Sequence, residues 1–127
     1  MKSVIILAAG VGKRLKASLD KNQIPKCLIE LSNYRTILGL NLKSILSLQE
    51  TKHICIVTGY KHELVEEFLN TTFPYQHHIK TVYNPNFTKS VVCSVKKGFE
   101  NINNNDSVLL LNGDTYFDKE IFVKAIE

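Results

Sequence analysis

Two glycines one residue apart, Gly10 and Gly12, are followed at once by Lys13 and Arg14. Leu7, Ala8 and Ala9 lead into them, so over several positions no bulky side chain keeps a ligand away from the backbone. A helix starting near Gly12 would turn its free N–H groups toward the same spot, which favours an anion. The two cations add fixed positive charge, and the arginine fork matches phosphate oxygens. Taken alone, the stretch also fits a tight strand-to-helix turn with two surface cations. It lacks the third glycine of a dinucleotide fingerprint, and it is not G-x-x-x-x-G-K-[ST]. Farther along, Pro25 stiffens the approach of Lys26, which taken alone reads as a surface lysine, and Asp114 follows Asn112-Gly113 at the end of an apolar run, where Asp also serves as a turn residue. Lysine, arginine and a lone carboxylate suit the positioning and neutralisation of phosphates. That chemistry requires no Ser-His-Asp or Cys-His arrangement.

Those residues must be carried by elements that end near one another. Short β-branched runs at Ser3–Leu7, His53–Val57, Ile79–Tyr83 and Ser107–Leu111 read as strands. Each is almost continuously apolar, as in a parallel sheet covered on both faces. Between them the helical period dominates. Thr36 to Leu48 carries Leu38, Leu42, Ile45 and Leu46 on one stripe, with Thr36 placed as a cap. Lys61 to Asn70 and Lys89 to Phe99 repeat the pattern, and Asp118 opens a last helix. Alternating strands and helices predict an α/β fold with a mainly parallel sheet and right-handed crossovers. Ligands in such sheets bind beyond the carboxyl ends of the strands. Four candidate sites fall there: Ala8–Arg14, Thr58–Tyr60, Asn84–Asn86 and Asn112–Asp114.

Composition narrows the function classes. The chain has 127 residues, the size of one domain, and is 44% hydrophobic, which is enough for a single core. Its net charge of +4 is mild and comes from dispersed lysines without an aromatic-rich basic ribbon, so nucleic acid is a poor partner. An anionic small substrate suits it better. The three cysteines, Cys27, Cys55 and Cys93, lie far apart and form no C-x-x-C pair. An odd, scattered set reads as reduced thiols and a cytoplasmic location. No segment is long and apolar enough to cross a bilayer, and the first apolar run does not end like a signal peptide.

The longer pattern L-A-A-G-x-G-x-R-L (Leu7–Leu15), followed by I-P-K-C-L-I-E-L (Ile24–Leu31), resembles the signature of the nucleotidyltransferases that make sugar nucleotides and CDP-alcohols. V-T-G-Y (Val57–Tyr60), Y-N-P (Tyr83–Pro85) and L-N-G-D (Leu111–Asp114) extend the similarity in the same order. Within that family, the V-T-G-Y and Y-N motifs look most like the phosphocholine-type cytidylyltransferases of surface-polysaccharide pathways. The resemblance implies a Rossmann-like α/β/α sandwich of the nucleotide-diphospho-sugar transferase type. It implies transfer of a nucleotidyl group from an NTP, with CTP favoured, to a phosphorylated small alcohol or sugar 1-phosphate, with pyrophosphate leaving.

The same resemblance assigns roles. Leu7, Ala8, Ala9 and Gly10 would border the base and ribose. Gly12, Lys13 and Arg14 would hold the triphosphate, with Arg14 and Lys26 as the catalytic cations flanking the α-phosphate, and Asp114 would bind Mg²⁺. Lys13 stands where relatives often carry Ser or Thr. Gly59 and Tyr60 either end a strand or lie near the nucleotide or acceptor. Asn84 is either a turn residue before Pro85 or an acceptor contact, and Ser90 is a helix cap or a base contact. Catalytic domains of the family are usually close to twice this length, so residues 1–127 correspond to the N-terminal, nucleotide-binding part of one. That predicts either a piece of a longer protein or a shortened form completed by another chain. A truncated sheet exposes apolar edges, which association with a second copy would cover.

Overall fold

A computed structural model describes residues 2–10, 24–33, 35–103 and 106–126. Strand β1 (Lys2–Ala8) is followed by a 3-10 turn at Lys26–Leu28 and a small antiparallel hairpin of β2 (Glu30–Ser32) and β3 (Arg35–Thr36). Helix α1 (Ile37–Leu46), β4 (Thr51–Thr58), α2 (His62–Thr72), β5 (Ile79–Tyr83), α3 (Val91–Phe99), β6 (Ser107–Asn112) and α4 (Lys119–Ile126) complete the order. β5, β4, β1 and β6 lie side by side in that order, all parallel. The α/β expectation holds, and each expected strand and helix is present.

The alternating side chains of β1 explain the two layers. Val4, Ile6 and Ala8 point to one face, where they join a core with Leu38, Leu42 and Ile45 of α1, Val65 and Leu69 of α2, and Phe122 and Ile126 of α4. Ile5 points to the other face, toward Cys55 and Val57. Helix α3 rests there: a Cβ added at Gly98 would stand 2.6 Å from Ile5 Cγ2. Burying a Leu or Ile side chain contributes about 1.5–3 kcal/mol, so the α1 stripe alone is a large stabilising term. The chain steps from β1 to β4 to β5 in one direction and then crosses back to β6. Right-handed connections therefore place α1 and α2 on one face and α3 on the other.

Local signals set the ends of the elements. Thr36 caps α1, its hydroxyl accepting from the Gly39 N–H at 2.9 Å. Asn33 adopts φ 42° at the hairpin turn, a conformation that asparagine tolerates well. The second face is less completely covered. Val91, Val92 and Phe99 of α3 and Leu110 of β6 remain exposed, and among the described residues β6 pairs only with β1. Among those residues no helix is long and apolar enough to cross a membrane.

Candidate functional site

The strand order reverses between β1 and β6, and at the carboxyl ends of these two strands a cleft of about 270 Å³ opens. Such a reversal leaves a crevice, because the connections depart to opposite faces. Leu7, Ala8, Ala9 and Gly10 form one wall, Asn112, Gly113 and Asp114 another, and Lys26 and Cys27 a third. Phe87, Val91 and Ser94 close the remaining side. Small residues at the end of β1 have the expected effect, since a Cβ at Gly10 would meet nothing within 4 Å among the described residues.

The exit of β1 is clamped on both flanks. The Gly113 N–H donates to Leu7 O at 2.8 Å, and the Tyr60 N–H donates to Ala9 O at 3.1 Å. Gly113 can come this close only without a side chain, because a Cβ there would lie 2.6 Å from Leu7 O. Gly59 has a similar constraint: its Cβ would stand 2.5 Å from the Cβ of Phe87 and 2.9 Å from that of Ala9. Gly59 thus lets Phe87 lie over the end of β4, and the Tyr60 backbone ties that end to Ala9. The Tyr60 ring faces Lys61, whose Nζ is 5.5 Å from the ring centroid.

Lys26 and Asp114, 88 residues apart in sequence, meet across the cleft with Nζ 3.5 Å from Oδ2. Both side chains are partly exposed, at 32% and 42%, so a ligand entering the cleft reaches them. Among the described residues no group of three or more His, Cys, Asp and Glu side chains converges as a metal site. A single open carboxylate nevertheless fits Mg²⁺, which commonly takes one or two protein carboxylates and completes its shell with phosphate oxygens and water. Asp114 is the residue of the cleft that would offer a carboxylate to such an ion.

Cys27 lies beside this pair and is 2% exposed. Burial pushes its thiol up from 9.0 to about 12; a backbone hydrogen bond opposes this, and the Asp114 carboxylate adds to the rise. Burial also raises Cys55, against the pull of Lys80. Both thiols hold their protons more tightly folded than unfolded. Their contribution to stability is thus complete below the unfolded pKa near 9 and is lost as pH climbs toward the folded values. The unfolding free energy is expected to fall as pH rises from 9 to 11, by up to about 1.4 kcal/mol per pH unit from Cys27, with Cys55 adding in the same direction. Replacing both cysteines by alanine should flatten that slope, which urea titrations at each pH would measure.

The structure separates the remaining expectations. Asn84 is buried at 1% exposure, its Nδ2 donating to Ser94 Oγ at 2.9 Å and its Oδ1 accepting from the Asn86 N–H at 3.0 Å. Its amide thus braces the turn on one side and, on the other, holds Ser94 in the cleft lining. Ser90 caps α3, accepting from the Val92 N–H at 3.1 Å. Gly12, Lys13 and Arg14 lie outside the described residues.

Sequence reasoning passed over Phe87 and Asn41. Phe87 carries no local signal beyond being aromatic. Asn41 does carry one, as a polar residue at the i+3 position from Leu38 on the inward stripe of α1.

Residues 4–127 match the model of the MobA-like NTP transferase domain family. The bifunctional protein GlmU of Cyanothece sp. is 33% identical over 116 residues, covering 90% of this chain and 23% of that protein. The D-glycero-alpha-D-manno-heptose 1-phosphate guanylyltransferase of Aneurinibacillus thermoaerophilus is 29% identical over 117 residues, covering 89% of this chain and 46% of that one. Among solved structures, a nucleotidyl transferase from Methanothermobacter thermautotroptrophicus superposes with a TM-score of 0.69 at 27% identity, covering 90% of this chain and 50% of that one. The chain thus spans half or less of the length of these proteins.

Proposed function

This chain belongs to the MobA-like NTP transferase family, and on that premise we propose that it is the nucleotide-binding part of a nucleotidyltransferase. The proposed reaction moves a nucleotidyl group from an NTP to a phosphorylated small alcohol or sugar 1-phosphate. An acceptor phosphate oxygen attacks the α-phosphorus, the bond to the bridging oxygen of the β-phosphate breaks, and pyrophosphate leaves. The supporting observation is the meeting of Lys26 and Asp114 at 3.5 Å on the rim of a cleft floored by the end of β1. Attack of one anion on another is slow because of charge repulsion, so a site that concentrates positive charge at the α-phosphate addresses the main barrier.

In this reading Leu7, Ala8, Ala9 and Gly10 lie against the base and ribose, with Phe87 and Val91 opposite. Lys26 would turn from Asp114 to an α-phosphate oxygen, and Asp114 would hold Mg²⁺. Bound there, the ion supplies charge neutralisation along the phosphate chain. By the family resemblance, Gly12, Lys13 and Arg14 would hold the triphosphate, with Arg14 serving the α-phosphate. CTP is favoured because V-T-G-Y and Y-N resemble the phosphocholine-type cytidylyltransferases, which also suggests surface-polysaccharide precursors as the products. The free cysteines, two of them buried, support a reducing cytoplasm.

A second reading, a nucleotide-binding module without turnover, draws on the chain's spanning half or less of its relatives. Melting curves with CTP, UTP, dTTP, ATP and GTP plus Mg²⁺, followed by pyrophosphate release with phosphorylated acceptors, separate the two. Stabilisation by CTP above the other nucleotides, with release, is the expected result. At a concentration 100 times Kd, binding should add about 2.7 kcal/mol. Stabilisation without release would favour the binding module, and no response to any nucleotide would exclude both.

A further inference from the structure

We propose that Asn41 is a positioning residue for Asp114, setting the carboxylate opposite Lys26 from the far side of the loop. The inference rests on the nucleotidyl-transfer reading and adds a residue to it. Asn41 sits on the inward stripe of α1 among Leu38, Leu42 and Ile45 and is 1% exposed. For packing alone an apolar residue would serve better there, since burying an amide is costly unless its hydrogen bonds are met.

Both are met, and both go to the segment carrying Asp114. Asn41 Nδ2 donates to Thr115 O at 2.8 Å, and Oδ1 accepts from the Phe117 N–H at 3.1 Å. Only this orientation of the amide satisfies a carbonyl and an N–H together. Asp114 therefore stands between two anchors, Gly113 tied to Leu7 O and Thr115 tied to Asn41. The other half of the ion pair is mounted on the same helix. Cys27 and Leu28, next to Lys26, pack into the core cluster that contains Leu38 and Leu42. The Ile37 N–H also donates to Ile29 O at 3.1 Å. One rigid helix thus carries the cation's turn on one side and, through a single amide, the carboxylate's loop on the other.

Asn41→Asp keeps the shape and the acceptor for Phe117 but removes the donor to Thr115, while Asn41→Ala removes both bonds. Three quantities test the proposal on the whole chain. These are backbone amide exchange at residues 113–117 without metal, CTP binding in EDTA, and the Mg²⁺ concentration giving half of the CTP-induced melting shift. Asn41→Asp is expected to speed exchange at these residues and to raise the half-saturating Mg²⁺ about tenfold or more, the usual effect of losing a residue that orients a ligand. CTP binding in EDTA should stay unchanged. Equal weakening of CTP and Mg²⁺ binding, no change in either, or unfolding of both variants would make Asn41 purely structural and overturn the proposal. A wild-type chain that binds no nucleotide would overturn the nucleotidyl-transfer reading itself, before any variant is compared.

Discussion

Lys26→Ala is expected to lower nucleotidyl transfer by about 10²–10³, the loss typical of removing one preorganised group from developing charge. The fold should barely notice. The Lys26–Asp114 pair is partly exposed, and ion pairs of that kind contribute about 0–1 kcal/mol. The diagnostic result is therefore a melting temperature near that of the wild type combined with a collapse in rate. Lys26→Arg should recover only part of the activity, because a planar fork does not replace a compact ammonium in a cleft of this size. Pyrophosphate release under saturating nucleotide, measured beside the melting curves, decides the matter. A variant with wild-type rate would remove Lys26 from the chemistry.

Gly113→Ala is expected to damage the fold and the cleft together. The added methyl would stand 2.6 Å from Leu7 O and 3.2 Å from Ala8 Cα, which are backbone atoms of the central strand. No side-chain rotation relieves that contact, so the end of β6 must move away from β1. Overpacking of this sort costs about 1–3 kcal/mol, a large part of the margin of a small domain. The hydrogen bond from Gly113 to Leu7 would stretch, and the neighbouring Asp114 would shift with it. A clear drop in melting temperature and loss of nucleotide binding are expected. Gly10→Ala is the stability control, since that position faces open space among the described residues. If the two variants melt alike, the close approach at Gly113 does not limit the fold.

The sequence exposed some of this and hid the rest for identifiable reasons. Ile79–Tyr83 emerged with its observed limits, because an apolar β-branched run bounded by turn residues leaves little choice. The Thr36 cap was legible because capping is local in sequence. The β2–β3 hairpin was not, as strands of three and two residues have no measurable period. In the site, the motifs around Gly10, Lys26 and Asp114 were visible as a family resemblance. The meeting of Lys26 and Asp114 at 3.5 Å depends on strand order, which no local pattern encodes. Gly59 was noticed as a strand end or a ligand neighbour, whereas its close approach to Phe87 and Ala9 is brought about only by the folded chain. Asn41 was readable in principle as a polar residue on an apolar stripe, yet its partners at Thr115 and Phe117 lie far along the chain.

The central place of β1 also bears on how the molecule comes together during synthesis. Ile5 pairs with Cys55 on one side and with Leu110 on the other. The first of the four parallel strands to leave the ribosome is thus flanked, in the end, by the second and by the last. Contacts that close such long stretches of chain are slow to form. Until β6 docks, one edge of Val4-Ile5-Ile6-Leu7 lacks its partner, and nascent chains would need shielding there against sticking to each other. Gly113 and Asp114 arrive with β6, so the cleft gains that wall only once this strand has docked against β1. Nucleotide capture by a growing chain, on the proposed function, would therefore report the docking of β6 against β1.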